Sequence, residues 1–182
     1  MKTLNFHITS FLLLLVLSSA CSPEAEKNLS GNNVDSLVVF LVRHGEKVDQ
    51  SRDPELSPAG YVRAATLAQT LHSAEIEYVH STDFIRTRKT AEPLAAINAL
   101  KIDIYDPSDL RALAEEIRKK GGRHLVVGHS NTTPRMVELL GGEPGLDIDE
   151  NDEYDRLYML TVSSEGEVGT VLLRYGVAYN FK

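Results

Sequence analysis

A short apolar run that stops abruptly at charged residues constrains the fold of this chain more than any other stretch. Residues 37–42 are all aliphatic or aromatic, and Arg43, His44 and Gly45 follow directly. An uninterrupted apolar strand is typical of a parallel sheet covered on both faces. Ligands of such sheets bind outside the carboxyl ends of the strands. The run therefore predicts a buried strand that delivers Arg43 and His44 to a crevice.

The rest of the chain favours an α/β fold, a three-layer α/β/α sandwich with a mostly parallel sheet. From residue 37 onward, strand-like apolar runs alternate with segments of helical periodicity. Pro93 is expected to kink or restart the second helix. The runs at 154–162 and 168–175 flank a short turn, which predicts an antiparallel C-terminal hairpin at the sheet edge. Further strands are predicted at 76–80, 102–105 and 125–127, with helices beginning near 57, 82 or 83, 110 and 131.

Composition limits the class of protein. The chain has 182 residues, of which 42% are hydrophobic and 25% charged, and this is typical of one globular domain. The formal net charge of -7, without any basic cluster interleaved with aromatic residues, argues against a nucleic-acid partner. An anionic substrate would therefore need a local pocket of positive charge.

The first 20 residues are typical of an export signal. Lys2 precedes an apolar core at 8–17, small residues follow at 18–20, and the stretch is too short to span a membrane. Cys21 comes next, which favours the lipidation site of a bacterial lipoprotein. Cleavage after Ala20 without a lipid is the alternative. Both predict export; lipidation predicts a cell-envelope protein that is membrane-anchored and faces the periplasm or the cell exterior.

The chain should then divide into a tether and a domain. Residues 21–35 lack an apolar period and contain Pro, Gly and several Asn, which predicts a flexible tether. Residues 36–182 form the predicted domain. Cys21 is the only cysteine, so no internal disulfide is expected. The sequence leaves the oligomeric state open.

Three separated segments carry motifs in a fixed order. They are LVRHGEK at 41–47, STDFIRTRKTAEPLA at 81–95 and HLVVGHSNTTP at 124–134. In order and spacing they resemble the histidine phosphatase superfamily, the phosphoglycerate-mutase-like proteins. The lack of a long insertion resembles its small phosphatase-type members.

The resemblance implies a role for each matching residue. His44 would be the nucleophile that forms a transient phosphohistidine, and water would later remove the phosphoryl group. Arg43, Arg86 and His129 would hold the phosphoryl oxygens. No metal or other cofactor would be needed, because charge-assisted hydrogen bonds stabilise the transferring group.

The residues themselves support a shared phosphate site. His129 follows the fourth predicted strand as His44 follows the first, and Asn131 begins a helix whose backbone N–H groups should face the same crevice. Arg86 and Thr90 are four residues apart and share a helix face. We expect Thr90 to be structural, and Gly45 to leave room for the substrate.

The proton donor to the leaving group is less evident. Asp106 and Glu46 are the candidates, although each also suits a loop or capping role. Many members of the family supply a glutamate from an insertion after the third strand, whereas here residues 106–109 lead straight into a helix. Without that insertion a phosphatase is favoured over a mutase. The partner would be a phosphorylated small molecule or a phosphoprotein, including phosphohistidine.

Two other functions stay open. Residues 128–132, GHSNT, resemble the G-x-S-x-G elbow of serine hydrolases, with Ser130 as the nucleophile. Thr132 replaces the second glycine, and no histidine follows Ser130. The other possibility is a non-catalytic lipoprotein of the same fold that binds phosphate or another anion.

Overall fold

The structure, a computed structural model, describes residues 37–180. Strands and helices alternate through this part of the chain. The six strands are β1 Leu37–Arg43, β2 Tyr78–Ser81, β3 Ile102–Ile104, β4 Arg123–Gly128, β5 Arg156–Val162 and β6 Val168–Arg174. The four helices are α1 Pro58–Thr70, α2 Ile85–Ile97, α3 Leu110–Lys120 and α4 Thr132–Leu139.

All six strands form one sheet in the order β3-β2-β4-β1-β5-β6. The first four strands in this order run parallel, and β5 and β6 are antiparallel additions at the end. This confirms the mostly parallel sheet and its C-terminal hairpin. Strands β1 and β4 are neighbours, with Arg43 opposite Gly128. His44 and His129 therefore leave the sheet side by side.

The apolar run of β1 supplies both layers of the core. Val39 and Leu41 belong to the cluster under α3 and α4, whereas Phe40 and Val42 belong to the cluster under α1 and α2. Successive side chains of a strand point to opposite faces. A strand buried on both faces must therefore be apolar at every position, and this confirms the three-layer architecture.

Helix α2 begins later than expected, and it is not restarted at its proline. It begins at Ile85, where the carboxylate of Asp53 accepts a hydrogen bond from the Ile85 N–H at 2.9 Å. The helix runs through Pro93 without a break. Ala91 and Leu94, on either side of the proline, are fully buried. Their packing in the core offsets the loss of the backbone hydrogen bond that a proline cannot donate.

Within residues 37–180, no helix is long and apolar enough to cross a membrane. The predicted signal segment, Cys21 and the predicted tether lie outside the described residues.

Candidate active site

A cavity of about 520 Å³ lies at the carboxyl ends of the parallel strands. Its lining comes from the loops that follow β1, β2, β3 and β4, and from the segment before β5. The lining residues are His44, Lys47, Phe84, Arg86, Pro107, Ser108, His129, Ser130, Asn131, Thr132 and Glu150. The predicted crevice thus exists, and it brings together both histidines and Arg86.

The hydrogen bonds of His44 define its tautomer. Its Nδ1 lies 2.8 Å from the carbonyl oxygen of Gly45, which can only accept, so Nδ1 carries the hydrogen. Nε2 then holds a lone pair, and it forms no hydrogen bond with any residue between 37 and 180. Burial, together with the charges of Arg43 and Arg86, lowers the pKa of His44 to about 2. The imidazole is therefore neutral at physiological pH.

His129 lies beside His44, with 5.4 Å between ring centroids. Its Nδ1 is 3.4 Å from Nη2 of Arg86, which can only donate. Its Nε2 therefore donates to the hydroxyl of Thr82 at 3.0 Å, and Thr82 contacts the hydroxyl of Thr87 at 2.9 Å. Burial and the Arg86 charge lower the pKa of His129 to about 4.

Two guanidinium groups offer donors that the protein does not use. Nε of Arg43, and both Nε and Nη1 of Arg86, are buried and form no hydrogen bond with a described residue. Nη1 of Arg86 is 3.6 Å from a carboxylate oxygen of Asp53, beyond hydrogen-bond distance. Buried N–H groups without partners carry a large desolvation cost. An oxyanion between Arg43 and Arg86 would remove that cost.

Arg43 also holds the loop before β5. Its Nη1 donates to the carbonyl oxygens of Asp149 at 3.1 Å and Glu153 at 2.9 Å, and its Nη2 donates to that of Glu150 at 2.6 Å. The guanidinium stacks 3.9 Å from the ring centroid of Tyr154. Tyr154 therefore turns inward, and β5 begins at Arg156 rather than at 154. Nη1 and Nη2 of Arg43 are thus used within the protein, and Nε is the nitrogen left without a partner for a ligand.

Gly45 is needed for packing. A Cβ at this position would lie 2.8 Å from the carbonyl oxygen of Gly60 in α1, which is closer than real Cβ contacts allow. The space expected for substrate is thus occupied by the helix backbone. Thr90 is structural, as expected, because its hydroxyl accepts from the Gly45 N–H at 2.9 Å and donates to the carbonyl of Arg86 at 2.7 Å.

The two acids predicted as proton donors are not among the residues that line the cavity. The carboxylate of Glu46 accepts from Nε and Nη2 of the buried Arg63 at 2.8 to 3.1 Å. Asp106 is exposed, and its carboxylate accepts from the N–H and hydroxyl of Ser108. These hydrogen bonds lower the pKa of Asp106, because they favour the ionised form. Neither carboxylate is part of the surface that surrounds His44.

Ser130 and Asn131 both line the cavity. The hydroxyl of Ser130 forms no hydrogen bond with a histidine in the described part of the chain, and both ring nitrogens of His129 are engaged elsewhere. The geometry thus gives Ser130 no general base. Asn131 precedes the first turn of α4 and makes no side-chain cap there, and it is exposed.

Several lining residues escaped the sequence analysis. Lys47 lies three residues after His44 and could have been suspected from that spacing alone. Phe84 packs edge-on against His129, with 5.1 Å between centroids. Glu150 belongs to an acidic loop in which nothing distinguishes it from its neighbours. Outside the lining, Thr82 and Thr87 form a hydrogen-bonded chain that ends at His129, and no sequence signal marks it.

Among residues 37–180, no group of three or more His, Cys, Asp or Glu side chains is placed to hold a metal ion. The positive charges of Arg43 and Arg86 both act on His44 and contribute to its lowered pKa.

Part of the chain matches the model of a known family. Residues 39–111 match the model of the histidine phosphatase superfamily (branch 1). A probable phosphoglycerate mutase, GpmB, from Photorhabdus laumondii is 30% identical over 128 residues. That alignment covers 66% of this chain and 58% of the relative. The match thus spans little more than half of the relative's length.

Solved structures share the fold at lower sequence identity. The protein histidine phosphatase SixA, in complex with tungstate, superposes with a TM-score of 0.60 and 20% identity, over 76% of this chain and 97% of SixA. A mycobacterial glucosyl-3-phosphoglycerate phosphatase superposes with a TM-score of 0.60 and 14% identity, over 79% of this chain and 100% of that protein.

Proposed function

Because the chain belongs to the histidine phosphatase superfamily, we propose that it is a metal-independent phosphatase that hydrolyses phosphomonoesters through a phosphohistidine on His44. One observation carries the proposal: the lone pair on Nε2 of His44 faces the cavity beside guanidinium N–H groups without partners. A neutral imidazole is a nucleophile, and unpaired N–H donors suit the phosphoryl oxygens it attacks.

The first half-reaction follows from this geometry. Nε2 of His44 attacks phosphorus, the bond to the leaving oxygen breaks, and the alkoxide takes up a proton. The Nδ1 hydrogen bond to the Gly45 carbonyl orients the ring and stabilises the positive charge that develops on it. Arg43 and Arg86 offset the negative charge on the phosphoryl oxygens. Water then attacks phosphorus, the N–P bond breaks, and inorganic phosphate leaves.

His129 supports the phosphoryl group through an adjustable hydroxyl. Thr87 is 2.9 Å from the carbonyl of Phe84 and 3.0 Å from that of Thr82, so it donates to backbone in any arrangement. The Thr82 hydroxyl is therefore free to donate either to Thr87 or to Nε2 of His129. In the second arrangement Nδ1 of His129 carries the hydrogen and donates to a phosphoryl oxygen.

A phosphatase is favoured over a mutase by the open side of the cavity. The loop from β3 to α3 contains only residues 105–109, and Pro107 and Ser108 of this loop line the cavity. No insertion at this position covers His44, so water reaches the phosphohistidine. The substrate class is a phosphorylated small molecule, or a phosphoprotein such as one carrying phosphohistidine.

A non-catalytic anion-binding protein is the second candidate, favoured by the position of Glu46 and Asp106 away from the cavity lining. The test is turnover of p-nitrophenyl phosphate, followed by a panel of phosphorylated metabolites. Rapid quenching in alkali with a labelled phosphomonoester would detect acid-labile phosphate on the protein. Phosphate binding without turnover or label would contradict the phosphatase and support the binding protein.

We also propose, from the sequence alone, that the mature protein is exported and anchored in the cell envelope by a lipid on Cys21. Cys21→Ser should release the protein from membranes, whereas the parent should partition into detergent extracts. Identical partitioning of the two would contradict the anchor.

A further inference from the structure

The cavity around His44 contains one carboxylate. Among the described lining residues only Glu150 is acidic, and it shares the surface with His44, Lys47 and Arg86. Its side chain is exposed and forms no hydrogen bond or ion pair with a described residue. By contrast, the carboxylates of Glu46 and Asp106 are held by other protein groups. Glu150 thus has both access to the cavity and freedom to exchange a proton.

The backbone of Glu150 is tied to the residue next to the nucleophile. Nη2 of Arg43 donates to the Glu150 carbonyl at 2.6 Å, and Nη1 of Arg43 binds the carbonyls of Asp149 and Glu153 on either side. Arg43 is almost completely buried, with 1% of its surface exposed. Because Arg43 and His44 are adjacent, this clamp sets the position of Glu150 relative to the nucleophile.

The loop is ordered by its own contacts as well. The N–H of Asp149 donates to the carboxylate of Glu153 at 3.0 Å, and the hydroxyl of Tyr179 donates to the carboxylate of Asp149 at 3.1 Å. Within this acidic segment, Asp149 and Glu153 are therefore engaged in holding the loop. Glu150 is the acid that the loop presents to the cavity.

We propose that Glu150 is the proton donor to the leaving group, and this rests on the phosphatase activity proposed above. As Nε2 of His44 bonds to phosphorus and the P–O bond breaks, the Glu150 carboxyl gives its proton to the leaving oxygen. The resulting carboxylate then takes a proton from the water that attacks phosphorus, the N–P bond breaks, and the carboxyl is restored. No other reactant is required.

A structural or purely electrostatic role for Glu150 makes a different prediction from proton donation. An alcohol leaving group needs a proton, whereas p-nitrophenolate leaves readily without one. The measurement is kcat/KM for p-nitrophenyl phosphate and for an alkyl phosphate such as glycerol phosphate. This ratio reports only steps up to departure of the leaving group, so the later attack of water does not enter it.

Glu150→Gln in the full-length protein should lower kcat/KM for the alkyl phosphate by about 100-fold or more. For p-nitrophenyl phosphate the loss should stay within about threefold, because general-acid assistance matters little there. Asp147→Asn is the matched control: it removes the same charge from an exposed site of the same loop, outside the lining of this cavity. It should leave both ratios unchanged.

Equal losses with both substrates would overturn the proposal and indicate a structural role. Unchanged activity on the alkyl phosphate would also overturn it. If Asp106→Asn, and not Glu150→Gln, shows the leaving-group dependence, Asp106 is the donor. Absence of turnover by the parent protein would contradict the phosphatase itself, and this result is distinct from any of the others.

Discussion

Residues 37–180 contain two pairs of histidines at neighbouring strands, and within this part of the chain one pair has the features of an active site and the other does not. His44 and His129 follow β1 and β4, whereas His80 and His124 lie within β2 and β4. Burial is the largest cause of a lowered pKa at all four residues, and it brings both His80 and His129 to about 4. A perturbed pKa by itself therefore does not identify the site.

The pairs differ in what their ring nitrogens contact. Nε2 of His80 lies 2.9 Å from Nδ1 of His124, and Nε2 of His124 donates to the Gly121 carbonyl at 2.7 Å. His124 also stacks on Tyr78, with 4.8 Å between ring centroids. This pair satisfies its donors internally. His44 instead presents a nitrogen lone pair to a cavity that also contains a guanidinium group, and chemistry needs that open position.

The largest expected effect is on turnover, and it should follow replacement of His44 but not replacement of His80. His44→Ala should lower turnover by about 10⁴-fold or more, since it removes the proposed nucleophile. Alkali quenching with a labelled phosphomonoester should capture label on the parent and none on the variant. His80→Leu, with circular dichroism to verify folding, should still be labelled. Equal labelling of His44→Ala and the parent would assign the nucleophile elsewhere.

A smaller loss should follow from removing one phosphate ligand. Arg86→Ala should reduce transition-state stabilisation by about 2 to 4 kcal/mol, measured as kcat/KM, because a charge-assisted contact is lost. Arg88→Ala is the matched control on the same helix, since Arg88 is outside the cavity and pairs with Asp83. If the two variants behave alike, Arg86 does not bind the phosphoryl group.

The internal pair, His80 and His124, should affect the free energy of unfolding rather than catalysis. The folded-state pKa of His80 is lowered from 6.5 to about 4, so the unfolded chain binds protons first as the pH falls. The contribution of His80 to the free energy of unfolding is fully present above pH 6.5, and it is lost as the pH falls toward 4. Each pKa unit corresponds to about 1.4 kcal/mol, which gives a loss of roughly 3 kcal/mol from this residue.

Thermal unfolding between pH 7 and 4 would measure this loss. The double variant His80→Leu/His124→Leu should lose less stability on acidification than the parent does. His44 and His129 add a similar dependence in both proteins, so the difference isolates the internal pair. If the midpoint of thermal unfolding had the same pH dependence in the parent and in the double variant, the stabilising role of His80 and His124 would be contradicted.

The smallest expected effect is that of a chelator. Neither histidine pair lies in a group of three or more candidate metal ligands within residues 37–180. Arg43 and Arg86 would also repel a cation beside His44. EDTA should therefore leave kcat unchanged. Loss of activity in EDTA that a divalent ion restores would contradict the metal-independent mechanism.

Much of the fold could be predicted because its signals are local. The unbroken apolar character of β1 requires burial on both faces, and Ser57 and Pro58 mark the start of α1 as expected. Local signals were insufficient at Pro93, because a proline's helix-breaking tendency can be outweighed by core packing that the local pattern does not reveal. The role of Gly45 was misjudged for the same reason, since the contact with Gly60 belongs to the packing of α1.

Residue order along an apolar strand is enough to predict the groups at the strand ends: Arg43 as the last residue of β1, His44 directly after it, and His129 directly after β4. The other features of the site depend on contacts between distant segments of the chain. Arg43 binds carbonyl groups more than 100 residues away, and these bonds bring Glu150 to the cavity. The tautomer of His129 depends likewise on Thr82, which follows β2, and on Arg86 in α2. Such contacts are set by chain packing, and no spacing in the sequence encodes them.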